Sequence, residues 1–151
     1  MEIGRSQDTS WGFNGGVDAC NNVLFQAIDL AEAAGIAIVW SAGNEGPPSG
    51  TIRNPANRAD NLVSGFAVGG WDGVVDSVWV SSSRGPTPCN PDPTLRVKPE
   101  IVAPSRDVRS TYVGSGYASS SGTSFSAPLA AGTLALMIEA NPMLPPDSLL
   151  E

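Results

Sequence analysis

Residues 119–128 read SSSGTSFSAP and run directly into a nearly all-apolar segment that ends at Asn141-Pro142. The apolar segment is long enough for a buried helix and too short to cross a membrane. A serine- and glycine-rich turn therefore leads into a core helix, with Ser124 in its first turn. Backbone N–H groups at a helix start have no partner within the helix and favour negative charge nearby. A hydroxyl at this place is positioned for acyl chemistry, although serine and threonine before a helix often serve only as N-caps.

The composition is that of a soluble globular protein, since 41% of the 151 residues are hydrophobic and 15% are charged. This length is enough for one domain with a sizeable core. The net charge is −7 and the only lysine is Lys98, which argues against a nucleic-acid partner. No run of eighteen apolar residues indicates a membrane span, and residues 1–6 do not form the apolar core of a signal peptide.

Cysteine and histidine usage limits the chemistry further. Cys20 and Cys89 are either two buried thiols or one disulfide, and the sequence leaves both open. No Cys-x-x-Cys or Cys/His cluster suggests zinc, and no convergent set of acids suggests calcium. We therefore expect no metal site and no cofactor. The chain contains no histidine at all.

The apolar pattern of the first half predicts an α/β fold. Apolar positions spaced by three and four follow Asp18, a candidate helix cap, and stop at Gly35, which suits the position after a helix. Residues 36–40 read IAIVW, a run typical of the buried centre of a parallel sheet. Residues 1–9 have the character of a ragged strand. Further strands are predicted at residues 62–68, 78–80 and 101–103, with a hairpin over residues 108–118 that turns near residues 114–116. The predicted architecture is a mostly parallel sheet flanked by helices.

A second segment with chemical potential follows the buried strand. Residues 41–46 read SAGNEG, and ligands of open α/β sheets bind beyond the carboxyl ends of the strands. Acyl transfer needs an activated hydroxyl, a base and hydrogen-bond donors for the developing oxyanion. Ser124 supplies a hydroxyl, and the carboxamide of Asn44 supplies a neutral donor. Taken alone, Asn44 is a common turn residue.

These segments resemble motifs of the subtilisin-like serine proteases (subtilases, peptidase S8 type). Residues 122–128 are similar to the nucleophile motif G-T-S-x-[SA]-x-P, and residues 41–46 resemble A-A-G-N-E-G, whose asparagine completes the oxyanion hole. Further matches in family order are SWG at 10–12, NPA at 54–56, SSRGP at 82–86 and KPEIVAP at 98–104. The resemblance covers about residues 9–142.

The resemblance implies a three-layer α/β/α fold of the subtilisin type. It implies a secreted or extracytoplasmic serine endopeptidase that cleaves protein or peptide substrates through an acyl-enzyme on Ser124, with Asn44 in the oxyanion hole. The residues that it assigns to substrate binding are Ser10, Trp11, Gly12, Ala42 and Gly43. It places Arg53 near the base of the S1 pocket, where the charge would favour acidic side chains unless it is merely a solvated loop charge. Family members often hold structural calcium, but no site for it is evident here.

The Asp and His segments of the family have no counterpart in this sequence. Asp8-Thr9-Ser10 resembles the aspartate motif only superficially, and we interpret Asp8 as a loop acid. The simplest interpretation is a partial peptidase domain over residues 1–151, incomplete on its N-terminal side and cut at its C-terminus. Its implied partner is the missing N-terminal half of the same domain. Without a His base, the chain alone is expected to be inactive or nearly so.

Three other interpretations compete with this one. A natural pseudoprotease would keep the groove as a peptide-binding module, with an extended peptide pairing beside residues 10–12. A sedolisin-like Ser-Glu-Asp peptidase would suit the absence of histidine, but Asn44 stands where that family has aspartate. A Ser124–Lys98 dyad is chemically feasible, yet subtilases carry a non-catalytic lysine at the position of Lys98.

Overall fold

A five-stranded sheet lies between two helices in the part of the chain that the structure describes. This computed structural model describes residues 6–12, 20, 24–61 and 65–143. The sheet consists of β1 (Ser6–Thr9), β2 (Ala37–Ser41), β3 (Ala67–Asp72), β4 (Ser77–Val78) and β5 (Ile101–Pro104). The remaining elements are α1 (Phe25–Ala33), a short 3₁₀ helix (Pro93–Arg96), a separate hairpin of β6 (Val108–Tyr112) and β7 (Gly116–Ser120), and α2 (Thr123–Ala140).

The sheet is mostly parallel, as predicted. β1, β2, β3 and β5 are neighbours in that order and all run parallel, whereas β4 pairs antiparallel with the end of β3. Thr9 at the end of β1 lies opposite Trp40 of β2. The segments that follow β1 and β2 therefore leave the sheet side by side, at the edge where α/β proteins bind ligands.

β2 is buried on both faces, which confirms the strand predicted at residues 36–40. Ala37 and Val39 pack in a cluster with residues of β3 and α2. Ile38 and Trp40 belong to a second cluster, which includes Ile28 of α1. Alternate side chains of one strand thus reach opposite helices, and the result is a three-layer arrangement.

Helix α1 begins later than the sequence pattern suggests. It starts at Phe25 with no side-chain cap, and Asp18, the predicted cap, lies outside the described residues. Its C-terminal end agrees with the prediction, because Gly35 has φ +78° directly after the helix. Glycine tolerates this left-handed conformation without a steric penalty.

The strand predicted at residues 62–68 is displaced along the chain. β3 begins at Ala67 and continues through Gly69 and Gly70 to Asp72, while residues 62–64 lie outside the described part. The two glycines do not end the strand. A Cβ on Gly69 would lie 2.6 Å from Pro99 Cγ, and one on Gly70 would lie 2.8 Å from Ser105 Cβ. Glycine is required here by close packing rather than by a turn.

Two smaller predictions need correction. β4 covers only Ser77–Val78 instead of residues 78–80. Asp8 is not a loop acid, because it lies within β1 and pairs with Val39. The backbone of β2 supplies the hydrogen bonds that make residues 6–9 a strand, and the sequence of residues 6–9 carries no apolar signal for it. The hairpin agrees with the prediction, with its turn at residues 113–115.

Helix α2 ends at Ala140, just before Asn141-Pro142, as the sequence predicts. It is not buried on all sides. Ala127, Ala130 and Leu134 pack against the sheet, while Leu129 and Leu136 are exposed. Among the described residues, no helix combines the length and hydrophobicity that crossing a bilayer requires.

Cys20 and Cys89 form a disulfide across a sequence separation of 69 residues. Of the two states that the sequence leaves open, the structure therefore contains the bonded one. The bond ties the segment before α1 to the loop between β4 and the 3₁₀ helix.

Candidate active site

Ser124 and Asn44 lie at the same hollow, although 80 positions separate them in the chain. Ser124 is exposed in the first turn of α2, and Asn44 is exposed in the loop that follows β2. The hollow has a volume of about 150 Å³. Its lining residues are Ser10, Trp11, Gly12, Ser41, Ala42, Gly43, Asn44, Glu45, Arg53, Thr123 and Ser124. All seven candidate site residues from the sequence thus line one hollow.

Thr123 fixes the orientation of the Asn44 carboxamide. Asn44 Oδ1 accepts a hydrogen bond from the Thr123 N–H at 3.0 Å and another from the Thr123 hydroxyl at 3.1 Å. The hydroxyl oxygen of Thr123 in turn accepts from the Gly43 N–H at 3.2 Å. Because two donors hold Oδ1, Nδ2 is the atom left to donate, and no described residue accepts from it.

The Ser124 backbone provides a second donor close to Asn44. Asn44 and Ser124 both line the hollow. A Cβ placed on Gly122 would lie 3.7 Å from Asn44 Nδ2, 3.8 Å from Asn44 Oδ1 and 3.9 Å from the Ser124 nitrogen. The Ser124 N–H belongs to the first turn of α2, where N–H groups have no intrahelical acceptor. Two neutral donors therefore border the same small space, as stabilisation of an oxyanion requires.

The start of α2 is anchored to the end of β5. The buried hydroxyl of Ser126 donates to the carbonyls of Ala103 and Pro104, at 3.0 and 3.3 Å. The Gly122 N–H donates to the Ser105 carbonyl at 2.9 Å. These bonds fix the first turn of the helix, and with it the position of the Ser124 hydroxyl.

Pro128 has a consequence for the segment after β1. In an α-helix, the N–H of residue 128 would donate to the carbonyl of residue 124, but proline has no N–H. The Ser124 carbonyl instead lies 3.3 Å from the Ser10 hydroxyl, which is also within hydrogen-bond distance of the Asp8 carboxylate and donates its single proton to one of them at a time. The proline of the nucleophile motif thereby leaves a carbonyl available to hold the neighbouring segment of residues 10–12.

Ser83 supports the loop that carries Asn44. Its hydroxyl donates to Glu45 Oε2 at 2.7 Å and accepts from the Glu45 N–H at 3.1 Å, and its N–H donates to the Gly43 carbonyl at 2.9 Å. Ser83 is fully buried. The sequence indicated residues 82–86 only as a motif match, so the positioning role of Ser83 was missed, as was that of Thr123. No local sequence pattern signals either role, because both depend on contacts between segments far apart in the chain.

Residues 10–12 form one wall of the hollow. The ring of Trp11 stands edge-on to that of Trp40, with centroids 5.5 Å apart and an interplanar angle of 86°. A Cβ on Gly12 would lie 3.2 Å from the Asn54 carbonyl oxygen. The segment of Asn54-Pro55-Ala56 therefore packs against this wall, and Arg53, immediately before it, lines the hollow.

None of the described side chains is hydrogen-bonded to the Ser124 hydroxyl. The Asp8 carboxylate oxygens lie 3.1 and 3.2 Å from the Ser10 hydroxyl and compete with the Ser124 carbonyl for its single proton. Partial burial raises the pKa of Asp8 above its ordinary value, although the hydrogen bonds from Ser10 and the Thr9 backbone oppose the rise. The Asp8 and Glu45 carboxylates thus each have a serine hydroxyl within hydrogen-bond distance.

Lys98 does not line the hollow of Ser124. Its buried ammonium group donates to the Gly65 carbonyl at 3.0 Å and forms an ion pair with Glu100. Burial lowers the pKa of Lys98, and the charge of Glu100 opposes the shift. Glu100 also accepts from the Ala67 N–H at 2.8 Å, so this pair holds the start of β3.

A larger groove of about 570 Å³ lies elsewhere, between α2 and β5. Its lining is apolar and includes Phe66, Ile101, Leu129 and Leu134, with no titratable side chain. Size alone does not make this groove a reaction site, since its lining offers neither a nucleophile nor a base.

In the described part of the chain, no group of three or more acids, cysteines or histidines is arranged to hold a metal ion.

An α/β sheet with a serine at a helix start and a carboxamide donor beside it is typical of serine hydrolases. Comparison with known proteins narrows this class. The model of the subtilase family matches residues 8–150. The chain belongs to the subtilase family, whose members are serine proteases.

Individual relatives agree with this assignment. Subtilisin-like protease SBT6.1 of Arabidopsis thaliana is 35% identical over 129 residues, a match that covers 85% of this chain and 12% of the relative. Serine protease AprX of Bacillus subtilis (strain 168) is 34% identical over 144 residues, covering 85% of this chain and 31% of the relative. The solved structure of S41 psychrophilic protease superimposes with a TM-score of 0.78 at 29% identity, covering 96% of this chain and 46% of that one. The chain thus spans less than half the length of these proteins.

Proposed function

We propose that this chain supplies the nucleophile and the oxyanion hole of a subtilisin-type serine endopeptidase. In this proposal Ser124 attacks the carbonyl of a peptide bond and forms an acyl-enzyme, and water then releases the acyl group. The carbonyl oxygen, as it gains negative charge, accepts hydrogen bonds from Asn44 Nδ2 and the Ser124 N–H. The observation that carries the proposal is the double hydrogen bond from Thr123 to Asn44 Oδ1, which directs Nδ2 away from Thr123.

The proposed base comes from outside these 151 residues. The chain contains no histidine, and Asp8, Glu45 and Lys98 have other partners. We infer that a His base and its orienting Asp are contributed by the remaining part of the same domain, which is the main partner that the chain needs. The isolated chain would then hydrolyse peptides poorly, with only the contribution of binding and the oxyanion hole left.

The proposed substrate is a protein or peptide in extended conformation. Ser10, Trp11 and Gly12 form one wall of the hollow, and Ala42 and Gly43 border it from the other side. Exposed backbone after an edge strand is able to pair with an extended peptide. By family resemblance we place the protein outside the cytoplasm. No step of the proposed reaction calls for a metal or an organic cofactor.

The test compares the 151-residue chain with a longer protein that includes the Asp- and His-bearing segment. We expect the longer protein to hydrolyse a chromogenic peptide and to be labelled covalently by a fluorophosphonate. Ser124→Ala should abolish both, and Asn44→Ala should lower kcat with little change in KM, because the oxyanion bond forms only in the transition state. Ser119→Ala is the matched control, since Ser119 lies on the neighbouring hairpin and does not line the hollow.

Two outcomes would contradict the proposal. Activity of the longer protein that survives Ser124→Ala would rule out Ser124 as the nucleophile. Robust Ser124-dependent turnover by the 151-residue chain would show that no external base is needed. Saturable peptide binding by a longer protein that never becomes acylated would instead favour the pseudoprotease, a peptide-binding module.

A further inference from the structure

The hollow beside Ser124 is the place where a substrate side chain next to the cleaved bond has to lie. If Ser124 and Asn44 hold the carbonyl of that bond, the side chain on its acyl side is attached to the adjacent carbon atom. At about 150 Å³, the hollow has room for a single side chain. Its walls are mainly backbone, hydroxyl and charged groups, so an apolar side chain would find little apolar surface to cover.

Among the described residues that line the hollow, Arg53 is the one with a positive charge. The backbone of Arg53 is held in place, because its carbonyl accepts a hydrogen bond from the Asn57 N–H at 3.0 Å. Pro55, two residues further along the chain, is buried. Arg53 is exposed and belongs to none of the ion pairs between described residues. Its charge is therefore available to a ligand.

Glu45 also lines the hollow, and its charge has to be weighed against that of Arg53. The Glu45 carboxylate is held on the side of Ser83, where Oε2 accepts the Ser83 hydroxyl at 2.7 Å. The space above the Gly43 Cα is filled by the same carboxylate oxygen, so Glu45 packs on its own loop. The Glu45 carboxylate is therefore engaged by the Ser83 hydroxyl, whereas the Arg53 guanidinium forms no ion pair with a described residue.

We propose that Arg53 makes this hollow select an acidic side chain, glutamate or aspartate, in the substrate residue that precedes the cleaved bond. The inference rests on the proposed function and adds its substrate class. Because the whole chain carries a net charge of −7, the overall field repels acidic peptides, and a local cation is needed to accept one. Guanidinium groups bind carboxylates through two parallel hydrogen bonds, which suits this role.

Product peptides test the selectivity without requiring catalysis. Three acetylated tetrapeptides that differ only in a C-terminal Glu, Gln or Leu are titrated into the 151-residue chain, and binding is followed by isothermal titration calorimetry. All three have the same terminal carboxylate, so the comparison isolates the side chain. We expect the Glu peptide to bind roughly three- to tenfold more tightly than the Gln peptide, as for a partly exposed charge pair. The difference should shrink in 1 M salt.

Variants decide whether Arg53 is responsible. Arg53→Met should make the Glu and Gln peptides bind equally, Arg53→Lys should keep part of the preference, and Arg53→Glu should reverse it. Arg109→Met, an exposed arginine on the hairpin outside the hollow, is the matched control and should leave the preference unchanged. Circular dichroism on each variant confirms that it is folded.

Each outcome bears on the inference. Equal binding of the Glu and Gln peptides to the unaltered chain, or a preference that survives Arg53→Met, overturns it while leaving the proposed function intact. If no peptide binds the 151-residue chain, and none binds the longer protein either, both the inference and the proposed function fail.

Discussion

Asn44 Oδ1 accepts two hydrogen bonds from a single residue, Thr123, through its N–H at 3.0 Å and its hydroxyl at 3.1 Å. Thr123 is fully buried, whereas Asn44 is exposed to the hollow. A carboxamide on a loop would ordinarily rotate freely, and its two ends would exchange places. Here Thr123, the buried residue that precedes Ser124, determines which end of the Asn44 amide faces the hollow.

Replacing Thr123 by valine should loosen this arrangement. The variant lacks the hydroxyl that donates to Asn44 and accepts from the Gly43 N–H. We expect the free energy of unfolding in urea to fall by about 1–3 kcal/mol, because a partly buried N–H loses its acceptor. In NMR spectra, the side-chain amide signals of Asn44 should shift.

Thr123→Ser keeps the hydroxyl and is the control for this change. It should retain the Asn44 amide signals and most of the stability. If the valine variant behaved like the serine variant in both measurements, the hydroxyl would not be what holds the carboxamide.

Gly43→Ala should destabilise the loop more than an ordinary glycine replacement does. Gly43 has φ +103°, and a Cβ there would lie 2.8 Å from Ser83 Oγ and collide with the Glu45 carboxylate. We expect a loss of about 2–4 kcal/mol in the free energy of unfolding, from backbone strain together with displaced side chains.

Gly50→Ala separates the two causes. Gly50 has φ +68° but nothing within 4 Å of its would-be Cβ, so this variant carries only the backbone penalty of about 1–2 kcal/mol. Both variants are compared by urea denaturation. Equal losses for the two would mean that the contacts of Gly43 with Ser83 and Glu45 do not matter.

The ion pair between Asp72 and Arg106 should stabilise the fold near neutral pH, and this stabilisation should be lost when acid protonates Asp72. Burial alone would raise the pKa of Asp72, but the hydrogen bond from Arg106 at 2.7 Å and those from the Val74 and Val75 backbone lower it below 3.8. A carboxyl group with a lowered pKa in the folded state stabilises the fold above its unfolded pKa. This contribution should therefore be complete above about pH 4 and be lost as the pH falls through the lower, folded pKa.

Asp72→Asn tests this expectation through unfolding curves measured between pH 2 and 6. The variant should be less stable than the unaltered chain at pH 6, and the gap should close as the pH falls below 3.8. Asp76→Asn is the control, since Asp76 is exposed and takes part in none of the ion pairs between described residues. A gap that stayed constant with pH would assign the effect of Asp72 to packing.

The features that local sequence determines were predictable. A strand buried on both faces needs apolar residues at every position, and residues 36–40 provide them. The end of α1 at Gly35 and the end of α2 before Pro142 follow from backbone preferences of glycine and proline. The motif resemblance predicted that Ser124 and Asn44 belong to one site, and the structure places both at one hollow.

The features that depend on distant partners were not predictable in this way. Gly69 and Gly70 suggested the end of a strand, but they lie inside β3 because Pro99 and Ser105 approach too closely for a side chain. Residues 1–9 were predicted to have strand character, but Asp8 was interpreted as a loop acid because its own sequence carries no sign of the pairing with β2. The positioning roles of Thr123 and Ser83 rest on contacts across 79 and 38 positions, which no local pattern records.

The adjacency of Thr123 and Ser124 has a mechanical consequence. The group that steers the Asn44 amide and the hydroxyl proposed to attack belong to consecutive residues of one helical turn, so a tilt or slide of α2 carries both together. The Asn44 side chain is thus held directly by the helical turn that carries Ser124, so the distance between the Ser124 hydroxyl and the amide depends on few intervening contacts. If the base comes from another segment, as proposed, that segment has no such direct bond to α2, and misalignment between the two would slow proton transfer before it disturbed the oxyanion hole.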